Sequence, residues 1–272
     1  MNLTAALHRL AAEQDCYLCG CASVQAVCME CVAAFPSAPA PACPCCALPV
    51  PHAGLNGPRG SCGRCLVNPP HFDATVAAFA YGDPLDKALQ AFKYRHALGL
   101  TRFLAAQLDR TLGVLARASL VAGSASPGVD LIVPMPLARA RLAQRGFNQA
   151  LELARPLAQR RRIPLDAHAV RRIRDTPPQA QLPWKERARN IQGAFAYAAG
   201  VTGAVTGTVT GAAGTALTGL RVAVVDDVMT TGSTLNELAR VLKANGAAHV
   251  SNWVIARTLP HSVTHPAAPA SA

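Results

Sequence analysis

Hydrophobic residues are grouped along this chain in short runs and in helical spacings. Runs rich in aliphatic residues at 130–133, 222–225 and 249–256 are typical of strands buried in a parallel sheet. Residues 72–81 alternate more loosely between apolar and polar and predict a further strand. The pattern therefore predicts strands at four places in the chain.

Helices are predicted where apolar residues recur at the helical period. The spacing i, i+3, i+4 and i+7 is followed by Leu235, Leu238, Ala239 and Leu242, and Gly246 is placed to end that helix. Further helices are expected from Pro84 to Arg95, over about 98–118, and from Asn148 onward. Pro156 should kink or break the last of these.

Two adjacent carboxylates, Asp226 and Asp227, follow the run at 222–225, where that strand is expected to end. A loop of small residues comes next, formed by Thr230, Thr231, Gly232, Ser233 and Thr234. A helix N-terminus has unpaired N–H groups and a positive dipole end, so a phosphomonoester gains several hydrogen bonds there. The carboxylates can bind ribose hydroxyls or hold waters around Mg²⁺. The stretch predicts a phosphate-binding loop beside a diol or metal site.

Two other interpretations of this stretch explain less of it. Thr234 and Glu237 match a capping box, and we expect them to cap the helix, but capping does not account for the two acids. A response-regulator receiver also has paired Asp residues after an apolar strand. It requires a phospho-accepting Asp on a later strand, and no Asp follows Asp227 in the sequence.

All ten cysteines lie before residue 66, and eight form four Cys-x-x-Cys pairs. The pairs are Cys16 with Cys19, Cys28 with Cys31, Cys43 with Cys46, and Cys62 with Cys65. Two such pairs complete a tetrahedral thiolate site, so the spacing predicts two successive zinc ribbons with structural zinc. An interleaved pairing is also open. Cys21, Cys45 and His52 are left as spare groups or alternative ligands.

A disulfide framework is the alternative interpretation of so many cysteines. No segment is typical of a signal peptide, and residues 1–15 resemble a short amphipathic helix, so we expect a reducing cytoplasm in which disulfides are rare. Four pairs also exceed what a catalytic redox site requires.

The net charge of +11 is concentrated in one region. Between Arg139 and Arg189 there are 13 basic and 4 acidic residues, a balance of +9, and the rest of the chain carries +2. Such a concentration suits a polyanion, either a pyrophosphate-bearing substrate or a nucleic-acid backbone. For the arginines at 160–162, a solvated helix face is the competing interpretation.

A proline-bracketed turn at 134–137 follows the run at 130–133 and precedes Arg139, Arg141 and Arg145. A turn at the carboxyl end of a strand, followed by arginines, is where a pyrophosphate can bind in an open α/β sheet. Residues 172–182 predict a mobile loop over the site. Residues 184–195 predict a helix whose arginines, Arg187 among them, reach across it.

Residues 222–234 resemble the motif that binds 5-phosphoribosyl 1-pyrophosphate (PRPP) in type I phosphoribosyltransferases: four apolar residues, two acids, and a loop ending in Thr-Gly-x-Thr. Val-Pro-Met-Pro-Leu and Arg-Gly-Phe-Asn-Gln within 133–149, the segment 178–195, Phe-Lys-Tyr-Arg at 92–95 and the paired cysteines extend the likeness. Over about residues 14–258 the chain resembles the ComF family, of the ComFC and GntX type. Residues 200–219 depart from that pattern.

The resemblance implies an α/β fold. Its type I phosphoribosyltransferase-like core is a mainly parallel sheet with flanking helices and a small hood, beside a small N-terminal zinc-ribbon module. Asp226 and Asp227 would hold the ribose and act in catalysis with Arg187. Residues 230–234 would bind the 5′-phosphate of PRPP, and pyrophosphate or another polyanion would be bound by Lys93, Arg139, Arg141 and Arg145.

Two functions follow from the resemblance. The first is binding of PRPP or a related phosphoribosyl ligand with Mg²⁺, in association with natural transformation, the uptake of DNA. The alternative is a single-stranded-DNA-binding competence accessory factor that works with a DNA-uptake helicase and uses the fold without turnover. Few aromatic residues lie among the arginines, which weakens a stacking-dominated mode of DNA binding.

The expected organisation is a leading helix and double zinc ribbon at 1–68, a phosphoribosyltransferase-like domain at 69–258, and a disordered tail at 259–272. Residues 201–220 are uncharged and long enough to raise the question of a membrane span. They contain five glycines and six threonines in a Val-Thr-Gly-like repetition. That composition predicts a low-complexity insertion at 200–219 and no membrane span.

Overall fold

A computed structural model describes residues 14–50, 60–94, 97, 99–121, 128–174, 190–198 and 217–260. The strands in these ranges are β1 Gln14–Asp15, β2 Ala22–Ser23, β3 Ala74–Ala80, β4 Leu131–Pro134, β5 Val170–Arg172, β6 Phe195–Tyr197, β7 Arg221–Met229 and β8 His249–Arg257. The helices are α1 Met29–Ala33, α2 Gly63–Val67, α3 Leu85–Tyr94, α4 Gly99–Val121, α5 Arg139–Arg145, α6 Gln149–Arg161 and α7 Ser233–Ala244.

The main sheet has four parallel strands in the order β3-β8-β7-β4. β7 and β8 occupy the centre and pair from Arg221 opposite His249 to Met229 opposite Arg257. The four valine and alanine residues at 222–225 have no exposed surface, as a strand covered on both faces requires. The predicted parallel α/β sheet is confirmed.

Helices cover both faces of this sheet. One face packs against α7, and this core includes the second cysteine cluster, which we define as Cys43, Cys46, Cys62 and Cys65. The other face packs against α3, α4 and α6, and its core includes buried members of the first cysteine cluster, defined as Cys16, Cys19, Cys28 and Cys31. The two cysteine clusters therefore belong to the cores on opposite faces of the sheet.

A separate antiparallel pair, β5 with β6, forms the small second sheet that was expected as a hood. It lies against α7, because the Gly193 N–H just before β6 donates to Glu237 Oε1 at 2.8 Å. This contact connects the small sheet to the helix that follows the loop at 230–232.

β7 is longer than the sequence predicts, and Asp226 and Asp227 lie within it instead of after its end. β4 pairs with β7 only as far as Pro134 opposite Val225, whereas β8 continues to Met229. The backbone of the acid pair is therefore held extended by β8 after its neighbour on the other side has ended.

Of the two effects predicted for Pro156, a kink or an early break, the break is wrong, since α6 continues to Arg161. Leu153 and Leu157, on either side of the proline, have no exposed surface. Packing of this apolar face against the sheet outweighs the hydrogen bond that proline removes, a cost of about 3 kcal/mol in a helix interior.

No helix in the described ranges is long and apolar enough to cross a membrane. The helix predicted at 1–15 is wrong at its end, because Gln14 and Asp15 form β1, and its residues 1–13 lie outside the described residues. Most of the insertion predicted at 200–219, and residues 261–272 of the tail predicted at 259–272, also lie outside them. The domain boundaries stay predictions.

Gly246 is a position where the fold requires glycine. Its φ is +96°, and a Cβ there would lie 2.8 Å from Thr218 Oγ1 and 3.0 Å from Thr218 Cα. We expect Gly246→Ala to lower the free energy of unfolding by about 1–3 kcal/mol. The matched control is Gly113→Ala, in the interior of α4 with nothing within 4 Å, which should raise it by about 0.5–1 kcal/mol. Denaturant unfolding curves measure both, and equal effects of the two substitutions would contradict the assignment.

Candidate functional site

The loop between β7 and α7 ends at Gly232, the residue before the first helical turn. Gly232 has φ +83° and ψ 0°, and no side-chain hydrogen bond caps the helix there. The expected capping box is wrong, because Glu237 binds the Gly193 N–H and forms an ion pair with Arg240 at 2.8 Å. Within the loop, Thr231 Oγ1 accepts from the Ser233 N–H at 3.1 Å. Gly232 supplies no side chain to cap α7, so apart from the Ser233 N–H, which Thr231 binds, its start has donors of the kind that bind anions.

A cavity of about 310 Å³ lies at this helix start. Asp226 and every residue from Val228 to Leu235 line it, so the structure brings together all five predicted loop residues, 230–234. Hydroxyls and backbone groups dominate its walls. The groups that line this cavity, and its position at a helix start, suit a phosphate group.

The two acids share one lysine. Lys93 Nζ, at the end of α3, lies 2.7 Å from Asp227 Oδ2, and both side chains are largely buried. The Asp227 N–H donates to Asp226 Oδ1 at 2.9 Å. Burial and the neighbouring Asp227 charge raise the pKa of Asp226 to about 7. Burial opposes the charged form of Lys93, but the Asp227 and Asp226 charges hold its pKa above the ordinary value.

A second cavity, of about 690 Å³, adjoins the first, since Asp226 and Thr234 line both. Its walls also hold Asp227 and four basic side chains, Lys93, Arg141, Arg145 and Arg172. Arg139 is exposed at the first position of α5 and lines neither cavity, and Arg187 lies outside the described residues. Asp226 thus lies where a hydroxyl-rich cavity meets a cationic one, and Asp227 lines the cationic one.

Two residues at the start of α6 shape the cationic cavity. Asn148 caps the helix by accepting the N–H groups of Ala150 and Leu151, and its amide donates to the Met135 carbonyl of the proline-bracketed turn. Gln149 is 4% exposed, and its Oε1 accepts from Arg145 at 3.1 Å. Gln149 Nε2 has no hydrogen-bond partner among the described residues, although it is buried and its residue lines the cavity.

Arg145 is positioned from two sides. Besides its bond to Gln149, it donates to the Tyr94 hydroxyl at 3.2 Å, and its guanidinium lies 4.8 Å from the Tyr94 ring centroid. These contacts hold a cationic group at the cavity wall without pairing it with a carboxylate.

Both cysteine clusters have the geometry of a zinc site. In each, the four sulfur atoms lie within 4.8 Å of one another. Cys19 and Cys28 Sγ are 3.7 Å apart, as are Cys46 and Cys62 Sγ. Tetrahedral zinc with bonds of about 2.3 Å spaces its sulfur ligands by about 3.8 Å. The pairs combine in sequence order, so the interleaved pairing is not formed.

Backbone N–H groups support one thiolate in each cluster. Burial acts to raise the pKa of Cys16, but N–H donors from Cys28, Cys19 and Leu18 lower it to about 6. Burial likewise opposes ionisation of Cys43, and donors that include the Cys62 N–H hold its pKa below the ordinary value. Such N–H···S bonds are typical of metal-bound cysteine. The donor sets fit two structural zinc ions.

Comparison with known proteins agrees with this geometry. The phosphoribosyl transferase domain family matches residues 100–261. The chain belongs to this family. The match includes β7, the loop at 230–234 and the basic turn, while the cysteine clusters precede it.

Relatives of this family member include DNA utilization proteins and a competence protein. The chain is 36% identical to DNA utilization protein YhgH of Escherichia coli K12 and 35% identical to that of Salmonella typhi. Each comparison covers 80% of this chain and 84% of the relative. It is 32% identical to Competence protein F of Haemophilus influenzae, over 72% of this chain and 78% of that protein. The predicted ComF-type resemblance is confirmed.

Several residues of this family member's site were missed from sequence. Arg172 lies within the basic region 139–189, but only the tertiary structure places it at the cavity wall. Tyr94 follows Lys93 in the motif at 92–95, and Gln149 ends the motif at 145–149 that begins with Arg145. Their position in these motifs was the only signal that the sequence offered for them. Arg257, buried below the loop, had no signal in the sequence.

Metal analysis tests the cysteine assignment. We expect about two zinc ions per chain, because each cluster supplies four thiolates, and about one in either Cys16→Ser or Cys43→Ser. Cys21→Ser and Cys45→Ala, which remove cysteines outside the clusters, should keep both ions. Loss of zinc in either control would show that the ligand sets are different.

Proposed function

We propose that this chain binds PRPP, or a closely related phosphoribosyl ligand, together with Mg²⁺ across the two joined cavities. One observation carries the proposal: Asp226 lies where a cavity at the start of α7 meets a cavity lined by four cations, and Asp227 lines the second. A ligand with a phosphate at one end, a diol in the middle and a pyrophosphate at the other matches that order of groups.

The fit can be followed along the ligand. The hydroxyl-rich cavity at 230–234 suits the 5′-phosphate, because helix-start N–H groups and hydroxyls donate to its oxygens. The acid pair suits the ribose hydroxyls, which donate to carboxylates. Arg141, Arg145 and Arg172 suit the pyrophosphate. Gln149 Nε2, buried and unpartnered among the described residues, is a donor available to the same group.

The donor set also fits magnesium. Mg²⁺ prefers carboxylate and phosphate oxygens, and the cavity walls offer both Asp226 and Asp227 for a pyrophosphate-bound ion. When bound there, the ion would neutralise charge on the pyrophosphate as it leaves. Lys93 balances part of the negative charge of the same carboxylates.

The arrangement is chemically suited to transfer of the phosphoribosyl group. Breaking the bond at the anomeric carbon leaves positive charge on the ribose and negative charge on pyrophosphate. The arginines would stabilise the leaving group, and the acid pair would hold the ribose on the side of the positive charge. Release of pyrophosphate from PRPP on addition of an acceptor distinguishes transfer from binding alone.

Calorimetric titration of Mg·PRPP into the purified protein tests the proposal. We expect Asp227→Asn and Arg141→Ala each to weaken binding by about tenfold or more, since a hydrogen bond to a charged group contributes about 1.5–3 kcal/mol. Gln149→Leu should weaken it less, because the donor it removes is neutral.

The matched control for removal of a positive charge is Arg117→Ala, an exposed arginine of α4 that lines neither cavity. It should bind like wild type. Equal weakening by Arg117→Ala and Arg141→Ala, or full binding by Asp227→Asn, would show that the ligand does not occupy these cavities.

We further propose that the chain acts in DNA uptake or processing in the cytoplasm. The names of its relatives, DNA utilization protein and Competence protein, support this role. The basic balance of 139–189 suits a phosphate backbone, and a DNA-uptake helicase is the proposed partner. As an alternative to turnover, the same basic groups would bind single-stranded DNA directly.

Single-stranded DNA binding at two salt concentrations tests the second role. Removal of one arginine that binds a phosphate should make the log–log salt slope shallower by about 0.7. We expect that change in Arg141→Ala and Arg145→Ala, measured by fluorescence anisotropy. Asp227→Asn should bind DNA at least as well as wild type, because it removes a negative charge. A salt slope unchanged by both arginine substitutions would place DNA elsewhere.

A further inference from the structure

The second cysteine cluster is connected to the phosphate-binding loop by a buried arginine. Arg257, the last residue of β8, is 1% exposed. Its Nε donates to the carbonyl of Cys46, a member of the cluster, at 2.8 Å. Its Nη1 donates to the carbonyls of Met229, Thr230 and Thr258. One guanidinium therefore joins a cluster residue to the last residue of β7 and the first residue after it.

A second arginine makes the next connection. Arg64 lies in α2, between Cys62 and Cys65 of the same cluster, and its Nη2 donates to the Thr231 carbonyl at 3.3 Å. The segment that follows the cluster also contacts α7, because the His71 N–H donates to Asn236 Oδ1 at 2.6 Å. Three consecutive carbonyls, at 229, 230 and 231, thus accept hydrogen bonds from two arginines. One of them donates to a residue of the second cysteine cluster, and the other lies between two of its cysteines in the sequence.

Holding these carbonyls orients the N–H groups of the loop. In a trans peptide the C=O of one residue and the N–H of the next point in opposite directions. Fixing the carbonyls of Met229, Thr230 and Thr231 toward the arginines directs the N–H groups of residues 230–232 away from them. Those residues line the first cavity. The arrangement presets donors that a phosphate would otherwise have to order.

The first cysteine cluster makes no corresponding contact within the described ranges. It packs in the core on the opposite face of the sheet, where Tyr17 lies against Gly99 at the start of α4. The first cluster therefore serves as an internal comparison. It also offers four cysteine thiolates for a zinc ion, but it has no such connection to the loop within the described ranges.

We propose that Arg257 and Arg64 are positioning residues through which the second cysteine cluster, when zinc-bound, holds the loop at 229–232 in its phosphate-binding conformation. Zinc at the second cluster then controls the affinity of the loop for phosphate ligands, and zinc at the first cluster does not. The effect on affinity rests on the proposed function, whereas the restraint of the loop does not.

Paired cysteine variants test the proposal in the full chain. Cys62→Ser and Cys31→Ser remove one partly buried ligand from the second and first clusters respectively. We expect each to lose about one zinc ion. Hydrogen exchange of peptides covering 229–236 should become at least tenfold faster only in Cys62→Ser. Binding of ribose 5-phosphate, the probe for the loop, should weaken by at least tenfold only in the same variant.

Arginine variants keep the test decisive if Cys62→Ser does not fold. Arg64→Ala alters an exposed side chain that is not a zinc ligand, so both ions should remain. Faster exchange at 229–236 and several-fold weaker ribose 5-phosphate binding are expected, with Arg64→Lys partly restoring both. Arg257→Lys should retain zinc and show the same two changes. Arg117→Ala should show neither.

The outcomes separate the two proposals. Zinc loss in Cys62→Ser with unchanged exchange at 229–236, or unchanged exchange in both Arg64→Ala and Arg257→Lys, would overturn the restraint. If exchange changes as expected but wild-type protein does not bind ribose 5-phosphate, the restraint holds and the phosphate-binding function fails.

Discussion

The site depends on the unequal lengths of the strands around β7. β8 pairs with β7 through Met229, whereas β4 stops opposite Val225. The backbone beyond Val225 is therefore held extended on one side and is no longer paired with β4 on the other. The chain leaving β4 forms the proline-bracketed turn at the same edge, so the acid pair meets the basic turn at the carboxyl ends of parallel strands, where open α/β sheets bind ligands.

The charged groups of the site are the acid pair with Lys93 and the basic side chains of the second cavity. Asp226 and Asp227 are close enough that burial and mutual repulsion raise the pKa of Asp226, and Lys93 relieves part of that repulsion. Arg145, in the second cavity, is held by two neutral groups, Gln149 and Tyr94. Its charge is therefore not neutralised by these contacts, which favours binding of a polyanion.

The cysteine clusters show how a small module can become part of a larger core. Each contributes buried sulfur-bearing residues to a different face of the sheet. On the face of α7, the second cluster contacts the loop after β7 in two ways: Arg64 donates to the Thr231 carbonyl, and the Cys46 carbonyl accepts from Arg257, which holds the Met229 and Thr230 carbonyls. Arg257 lies within the matched family region, whereas Arg64 and the second cluster precede it.

Short-range patterns were enough to find the four core strands, the small-residue loop that lines the first cavity and the two cysteine clusters. Each of these depends on the identity and spacing of residues near one another in the chain, as in the acids beside Thr-Gly-Ser-Thr or the Cys-x-x-Cys pairs. The predictions were wrong where contacts with other parts of the fold outweighed the local pattern. Glu237 does not cap α7, because Gly193 and Arg240 bind it, and α6 continues past Pro156 because Leu153 and Leu157 pack on the sheet.

The amino-acid sequence by itself thus determined which groups could bind phosphate, diol and metal, since those chemistries are properties of single side chains and short segments. The tertiary structure decided which of the many arginines line the cavity: Arg141, Arg145 and Arg172 do, and Arg139 does not. It also decided that Arg257 lies beneath the loop. Every arginine has the same side chain, so its identity does not tell which one lies near the acid pair. The three-dimensional path of the backbone sets the distance from each guanidinium to those carboxylates.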